Sequence, residues 1–120
     1  MIILDTNIFI YLAKNKLESH FVANKDIAHA SIVKIEALGY GQISANELLL
    51  LKSLFSESYN LPLTDLIVER AVTLRQLKRM SLGDAIVAAT AIENSSVLWT
   101  ANTKDFKHID ELQLFDPMQK

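Results

Sequence analysis

Four acidic residues, spread over almost the whole chain, are the side chains best suited to chemistry: Asp5, Glu36, Asp84 and Asp105. Two carboxylates about 4 Å apart repel each other by about 4 kcal/mol at an effective dielectric of about 20. A protein that gathers several acids in one cleft therefore places a cation among them or tunes their pKa values. The chain has no cysteine, and His108 lies on a polar stretch where we expect it to be solvated rather than a ligand. An oxygen-only site of this kind favours Mg²⁺ or Mn²⁺ over Zn²⁺.

Each acid, taken singly, also has a structural interpretation. Asp5 can accept backbone hydrogen bonds in a turn, and Glu36 can be a solvated helix residue. Asp84 is the third residue after Ser81 and can close a capping box, and Asp105 can cap a short helix. These interpretations are favoured for any one acid alone, but they weaken if all four acids lie together.

The composition predicts a folded cytoplasmic domain. Of the 120 residues, 50% are hydrophobic and 22% are charged, which excludes a disordered chain. The lack of cysteine excludes disulfide scaffolds, thiolate zinc sites and cysteine nucleophiles. The longest apolar run, residues 8–13, is far shorter than the ~20 residues that span a bilayer. We therefore expect one domain over residues 1–120 that does not bind a membrane.

Short apolar runs alternate with helical patterns, which is typical of an α/β sandwich around a parallel sheet. The predicted strands are residues 2–4, 27–30, 59–63, 97–100 and 112–115. Pro62 indicates that the third strand lies at an edge of the sheet. Asp5 directly follows the first strand, and Asp105 lies in the loop after the fourth. Since ligands bind beyond the carboxyl ends of such strands, we expect the acids to meet there.

Capping residues and apolar periodicity predict five helices between these strands. The expected helix starts are Thr6 or Asn7, Ser31, Ser44, Thr64 and Ser81. The fourth helix, extending to about residue 79, is expected to bury Ile67, Val68, Ala71, Val72 and Leu74. The fifth is apolar nearly all round over residues 85–92, so it should be buried and closely packed.

Four segments at these positions resemble the PIN-domain nucleases, in particular the VapC-type ribonuclease toxins of prokaryotic toxin–antitoxin pairs. The segments are Leu4-Asp5-Thr6-Asn7, Glu36 after a short strand, Gly83-Asp84 with the small-residue run to Ala91, and Thr100-Ala101-Asn102-Thr103-Lys104-Asp105-Phe106. They occur in the family's order and at family-like spacing from Met1 to about Pro117. The last two segments are the most specific, and all four together form a strong pattern.

The resemblance implies a fold, a metal site and an activity. The fold is a PIN-like three-layer sandwich with sheet order 3-2-1-4-5, in which Asp5 and Asp105 lie on neighbouring central strands. The residues that match the family's catalytic metal ligands are Asp5, Glu36, Asp84 and Asp105, supported by Thr6, Asn7, Thr100 and Asn102. The implied enzyme is an endoribonuclease dependent on Mg²⁺ or Mn²⁺ that leaves a 5′-phosphate and a 3′-hydroxyl. A tRNA or another structured RNA is the implied substrate.

The sequence departs from the family pattern at two positions. Ala101 stands where many relatives carry arginine, and Val33 stands where threonine or serine is common, three residues before the glutamate. Neither change removes a metal ligand. The missing arginine bears on substrate affinity or on tuning of the metal site.

Basic residues precede and follow the third acid. Arg70 lies with Arg75, Lys78 and Arg79 in a stretch that contains no acid and ends just before Asp84. Such a stretch is usually a solvated helix end. Because it lies beside the predicted site, contact with RNA phosphates explains it equally well. The predicted RNA-binding residues are Arg75, Lys78, Arg79 and Lys104.

The resemblance also implies protein partners. A cognate antitoxin would lay its C-terminal segment across the cleft, and paired PIN subunits commonly pack through their second to fourth helices. The leucines at 48–51 and Leu54 exceed the needs of one helix face, which suits a homodimer interface. A fully buried helix explains the same leucines equally well.

Other functions fit the residues less well. A non-catalytic PIN-fold module that binds RNA or protein is the main alternative, although inactive relatives typically lose some of the four acids. A receiver-type signalling domain needs an acid pair after the first strand, where Thr6 and Asn7 follow Asp5. A haloacid-type phosphatase needs an acid at the position of Asn7.

Overall fold

The computed structural model describes residues 1–119, so the last residue of the predicted domain, Lys120, lies outside the described residues. Its five strands are β1 (Ile2–Leu4), β2 (Ile27–Ala30), β3 (Tyr59–Leu61), β4 (Val97–Trp99) and β5 (Leu114–Phe115). They form one parallel sheet in the order β3-β2-β1-β4-β5. The predicted sheet order and the edge position of the third strand are confirmed.

Five α-helices flank the sheet: α1 (Thr6–Ala13), α2 (Ser31–Leu38), α3 (Ala45–Ser56), α4 (Asp65–Leu77) and α5 (Leu82–Glu93). Helix α1 packs against α2 and α3, and α4 packs against α5. Two 3₁₀ helices complete the chain, at Ser19–Phe21 and at Thr103–Asp105. The predicted α/β sandwich is therefore confirmed.

The core lies around the two central strands and α5. Ile3 and Leu4 of β1 and Leu98 of β4 are fully buried. Helix α5 is the predicted buried small-residue helix, since alanines at 85, 88, 89 and 91 have no exposed surface. Its one buried polar side chain, Thr90, donates its hydroxyl proton to the carbonyl of Ile86 at 2.7 Å, so that burial leaves no unpaired hydroxyl donor.

Several element boundaries differ from the sequence prediction. The third strand ends at Leu61, because Pro62 has no N–H to continue the ladder. The fourth helix ends at Leu77, and Lys78 is extended, with φ −156° and ψ 147°. On this helix, Val68 and Val72 are 40% and 48% exposed, so the predicted inward face was too wide.

Two helix caps also differ from the prediction. Helix α1 is capped by Asp5, whose carboxylate accepts the Thr6 N–H, rather than by Thr6 or Asn7. Ser31 lies inside α2, where its hydroxyl donates to Asn60 Oδ1 at 3.0 Å. Ser44 and Glu47 form the predicted capping box at the start of α3.

Among residues 1–119, none of the helices has both the length and the hydropathy needed to cross a lipid bilayer.

A buried histidine lies on β2. The His29 ring packs edge-on against Phe9 and Phe55, its Nδ1 lies 2.7 Å from Ser58 Oγ, and its Nε2 is buried without a hydrogen-bond partner in the described chain. Burial and, to a smaller extent, the positive charge of Lys34 lower the pKa of His29 to about 4. The ring is therefore neutral at pH 7.

We expect His29 to destabilise the protein in mild acid. Its pKa rises from about 4 in the folded chain to its usual 6.5 on unfolding, so its contribution to stability is lost as pH falls from about 6.5 to 4. His29→Leu should remove that part of the pH dependence of the melting temperature. His20, which is exposed and contacts Glu18, provides the control His20→Gln. Equal pH slopes in wild type and His29→Leu would contradict the prediction.

Candidate metal centre

The predicted site residues lie at the carboxyl ends of the two central strands. Asp5 directly follows β1, and its N–H donates to the carbonyl of Trp99, the last residue of β4. Thr100 follows Trp99, so pairing of β1 with β4 brings Asp5 and Thr100 together across 95 residues of chain. Glu36 reaches this edge from α2, and Asp84 from the first turn of α5.

Asp5 is buried, with 6% of its surface exposed. Its Oδ1 accepts the Thr6 N–H at 2.8 Å, and its Oδ2 accepts the Thr100 hydroxyl at 2.8 Å and the Asn7 side-chain amide at 3.4 Å. These donors fix the orientation of the carboxylate.

The supporting residues are themselves held in place. Asn7 Oδ1 accepts the Ala101 N–H at 3.0 Å, which ties α1 to the loop after β4. Thr100 Oγ1 accepts the Asn102 N–H at 3.1 Å. The structure thus places Thr6, Asn7 and Thr100 at Asp5, whereas Asn102 contributes its backbone and its side chain is exposed.

Glu36 joins the site through two neighbours. The Thr6 hydroxyl donates to Glu36 Oε1 at 2.8 Å. On the other side, a Cβ added at Gly83 would lie 2.9 Å from Glu36 Oε2, so any other residue at this position would displace this carboxylate. Gly83 was not among the predicted site residues. The available signal was a glycine in the first turn of a helix, where it is costly to stability.

Asp84 does not close a capping box. The Ser81 hydroxyl accepts the Asp84 N–H at 3.1 Å and so caps α5. The reciprocal bond, from the capping N–H to the acid at the third helix position, occurs in the described chain at Ser44 and Glu47. The capping interpretation of the Asp84 carboxylate is therefore wrong, and its charge is not used by the cap.

The carboxylates repel one another. The pKa of Asp5 is raised to about 6, chiefly by burial and also by the charges of Asp84 and Glu36, against the opposing hydrogen bonds from Thr100 and Thr6. Burial also raises the pKa of Asp84, opposed by the Ser81 hydroxyl, and repulsion from Asp105 and Glu36 adds to the rise. These pairwise repulsions include all four acids, which shows that the four carboxylates lie near one another.

Asp105 follows β4 in sequence but lies beyond the end of that strand. It ends the 3₁₀ helix Thr103–Asp105 in the loop after β4, which confirms the placement predicted from the residues. The placement on a strand next to Asp5, which the resemblance implied, is wrong. The cause is local, because β4 ends at Trp99 and the chain turns before reaching Asp105. Within residues 1–119, no three acidic or histidine side chains are arranged as a finished ligand set.

The predicted RNA-binding residues fall into two groups. Lys78, Arg79 and Lys104 line one cavity of about 230 Å³ together with Asp84 and Asp105. Arg75 does not line it, and its Nε donates to the carbonyl of Met80 at 3.2 Å. The remaining basic residue of this stretch, Arg70, forms salt bridges with two glutamates, at 2.9 and 3.0 Å.

His108 lines the same cavity, and both of its ring nitrogens are buried without a hydrogen-bond partner in the described chain. The expectation of a solvated ring is wrong. After the 3₁₀ helix that follows β4, the polar stretch folds back against the end of α4. There His108 lines a second cavity together with Leu74 and Leu77 of α4. The polar residues around His108 in the sequence do not indicate that its ring nitrogens are buried.

These side chains fit a hard divalent cation. The donors are carboxylate oxygens, and burial, with repulsion among the acids, raises the pKa values of Asp5 and Asp84. A divalent cation supplies positive charge that offsets this repulsion without a protein base. Asp5, Asp84 and Asp105 would hold it, with Glu36 beside them.

Comparison with known proteins extends these observations. Residues 2–112 match the family model described as PIN domain. A toxin–antitoxin complex from Klebsiella pneumoniae contains a chain 30% identical to this one, with a TM-score of 0.77 and coverage of 98% of both chains. VapBC-1 from nontypeable Haemophilus influenzae is 25% identical, with a TM-score of 0.79 and coverage of 99% of this chain and 100% of that chain. VapBC2 from Rickettsia felis, bound to a promoter DNA fragment, is 24% identical, with a TM-score of 0.80 and coverage of 97% and 98%. A comparison with curated proteins gave no match.

Proposed function

The chain belongs to the PIN-domain family, and from this premise we propose that it is a metal-dependent endoribonuclease and the toxin of a toxin–antitoxin pair. The observation that carries the proposal is the buried Asp5 carboxylate, oriented by Thr6 and Thr100 and repelled by Asp84 and Glu36. Such an arrangement costs stability, which suits a site selected for chemistry rather than for folding.

Each acid has a distinct position from which to act. Asp5 is held by three donors, whereas Asp105 is exposed and lines a cavity together with Asp84. Glu36 is oriented by Thr6 and acts on the cation directly or through water. When bound, Mg²⁺ or Mn²⁺ supplies Lewis acidity for hydrolysis of a phosphodiester. Lys104, which precedes Asp105, is placed to offset charge on the phosphate.

Cleavage of RNA tests the proposal. Purified protein should cleave bulk tRNA with Mg²⁺ or Mn²⁺, stop when a chelator is added, and leave 5′-phosphate and 3′-hydroxyl ends. The variant Asp5→Asn, Asp105→Asn is the control for a contaminating nuclease. A wild-type protein that binds RNA but never cleaves it would instead support a non-catalytic PIN-fold module.

Two further parts of the proposal concern partners. The similar chain from Klebsiella pneumoniae is described as part of a toxin–antitoxin complex, and a cluster of four acids attracts a basic side chain. We therefore include a cognate antitoxin that covers this cleft. Co-purified antitoxin that leaves cleavage unchanged would exclude that role.

We also include a homodimer that uses α3. Leu51 of this helix is buried, but Leu49 and Leu50 are 66% and 53% exposed, so the helix is not fully buried as the alternative required. Exposed leucines side by side suit a subunit interface. A monomer in analytical ultracentrifugation at micromolar concentration would contradict this part.

Gly83→Ala should lower activity without lowering stability. The added Cβ would lie 2.9 Å from Glu36 Oε2 and displace the carboxylate, which is the flexible end of its side chain. Alanine also favours a helix over glycine by about 1 kcal/mol. We expect a melting temperature equal to or above that of wild type, with weaker Mg²⁺ activation of cleavage. Gly41→Ala, where a Cβ meets no atom within 4 Å, is the control. Unchanged Mg²⁺ activation in Gly83→Ala would show that Glu36 is not needed in this position.

A further inference from the structure

An exposed phenylalanine, Phe115, ends the edge strand β5 at the carboxyl edge of the sheet. It is 45% exposed, whereas Phe9 and Phe106 are fully buried and Phe55 is 5% exposed. We infer that Phe115 is a stacking platform for one nucleobase of the RNA, close to the phosphodiester that is cleaved. The inference rests on the proposed function and adds to it a contact with a base of the substrate.

Phe115 lies near the candidate metal centre. Its partner on β4 is Trp99, whose own partner on β1 is Leu4, the residue before Asp5. Neighbouring strands are about 4.8 Å apart, so about 10 Å separates the backbones of Phe115 and Leu4. The Thr100 N–H donates to the Phe115 carbonyl at 3.0 Å, and the Thr100 hydroxyl donates to Asp5. Thr100 thus connects the phenylalanine to the predicted metal ligand.

The Phe115 ring is held in place without a ligand. It packs against the indole of Trp99, with ring centroids 4.9 Å apart and planes tilted by 51°. Trp99 is 7% exposed, so it supports the ring from the protein side. The chain after the ring is fixed by a turn, in which Asp116 Oδ1 accepts the Met118 N–H at 2.8 Å. A ring ordered in this way loses little conformational entropy when a ligand stacks on it.

The surroundings of Phe115 favour a nucleobase over a protein surface. In the described stretch 83–119, Phe115 is the one exposed large apolar side chain, so it forms an isolated ring rather than a patch. Protein interfaces use larger contiguous apolar patches. An unpaired base has a flat face of similar size, and single-stranded RNA is commonly bound by stacking its bases on aromatic side chains. Covering an aromatic ring is favourable in itself, whereas an exposed charge is already well solvated.

Phe115 and Asp5 lie on opposite faces of the sheet edge. Successive residues of a strand alternate between faces, so Asp5, one residue beyond Leu4, points away from the face that carries Trp99 and Phe115. An RNA strand that crosses the carboxyl edge can therefore place a phosphate at the acids and a nearby base on Phe115. Since every base has a flat face, the platform contributes affinity and register rather than base preference.

The test compares two oligomers of equal length and charge, a single-stranded RNA and a ribose-phosphate chain without bases. Binding is measured with a chelator, so that no cleavage takes place. Phe115→Leu should weaken binding of the RNA by about tenfold and leave binding of the base-free chain unchanged. Phe115→Tyr, which keeps an aromatic face, should bind both oligomers as wild type does.

Tyr59→Leu is the matched control. It removes a ring that is 64% exposed from β3, the opposite edge strand, and should leave binding of both oligomers unchanged. Melting temperatures verify folding. Phe115→Met repeats the test if Phe115→Leu unfolds, because methionine packs on Trp99 without an aromatic face.

Two results would overturn the inference. One is RNA binding by Phe115→Leu equal to that of wild type. The other is an equal loss of affinity for both oligomers, which would show that the ring supports the backbone site and touches no base. If Phe115→Leu binds RNA normally but loses a co-purified antitoxin or sediments as a smaller species, the ring belongs to a protein interface instead.

Failure of this inference is distinct from failure of the proposed function. A wild-type protein that cleaves RNA, with a Phe115→Leu variant that binds it normally, keeps the nuclease and removes the platform. A wild-type protein that never cleaves RNA, with a Phe115→Leu variant that loses base-dependent binding, keeps the platform and removes the nuclease.

Discussion

Asp84→Asn is expected to lower RNA cleavage by a factor of about 100 or more, while the protein folds as well as wild type. The cap of α5 uses the Ser81 hydroxyl and the Asp84 N–H, both of which remain in the variant. What the change removes is a half-buried negative charge that Asp105 and Glu36 already repel. Without metal, the melting temperature should therefore stay the same or rise slightly. Initial cleavage rates of bulk tRNA in excess Mg²⁺, with thermal melts of the metal-free protein, provide both readouts.

Glu47→Gln is the matched control for this variant. Glu47 occupies the same position in α3 that Asp84 occupies in α5, but its carboxylate accepts the Ser44 N–H at 2.9 Å and lies 3.3 Å from Lys14 Nζ. That backbone bond lowers the pKa of Glu47, so its charge is used in folding. Glu47→Gln should reduce stability slightly and leave cleavage unchanged. Wild-type cleavage by Asp84→Asn would show that Asp84 is not part of the metal site.

Asp5→Asn should invert the order of stabilities on addition of metal. The pKa of Asp5 is about 6 in the folded chain and 3.8 in the unfolded chain, so metal-free wild type loses stability as pH rises from about 4 to 6. A shift of two units corresponds to about 3 kcal/mol, of which the weakened Thr100 bond offsets about 1 kcal/mol. Near pH 7 the metal-free variant should therefore be the more stable protein.

Excess Mg²⁺ should reverse this difference. A ligand at a hundred times its Kd stabilises the folded state by about 2.7 kcal/mol, and that gain requires Asp5 in the wild-type protein. Melting temperatures from pH 4 to 7, with chelator and with Mg²⁺, test both halves. Comparison of wild type with variant at each pH cancels the opposite contribution of His29. A wild-type melting temperature that ignores Mg²⁺ would contradict this account of Asp5.

Much of the fold could be predicted from the sequence because the signals for its helices and strands lie within a few residues of one another. Ser44 and Glu47 are three residues apart and predict a capping box, and Pro62 predicts an edge strand by the donor that it lacks. The order of the strands was predicted from the resemblance to PIN domains. The acids were predicted to lie together because parallel strands share one carboxyl edge of the sheet. Val68 and Val72 were predicted inward by periodicity alone, which does not report how wide a face the neighbouring α5 covers.

The site contains features that no local pattern reports. The contact of Gly83 with Glu36 joins residues from different helices, and the sequence shows only a glycine that weakens a helix. His108 stands among polar residues, yet the chain fold buries both of its ring nitrogens. Lys78 lines the cavity beside the acids and Arg75 does not, because α4 ends between them at Leu77. Periodicity predicted that this helix ends two residues later. Each of these features depends on packing between distant segments.

Calorimetric titration of Mn²⁺ or Mg²⁺ into the protein tests the central claim most directly. Wild type should bind the ion with measurable, saturable heat, and the variant Asp5→Asn, Asp105→Asn should show none at the same concentrations. Thermal melts of the two metal-free proteins would verify that both are folded. Metal binding by the double variant equal to that of wild type would contradict the assignment of these carboxylates as ligands.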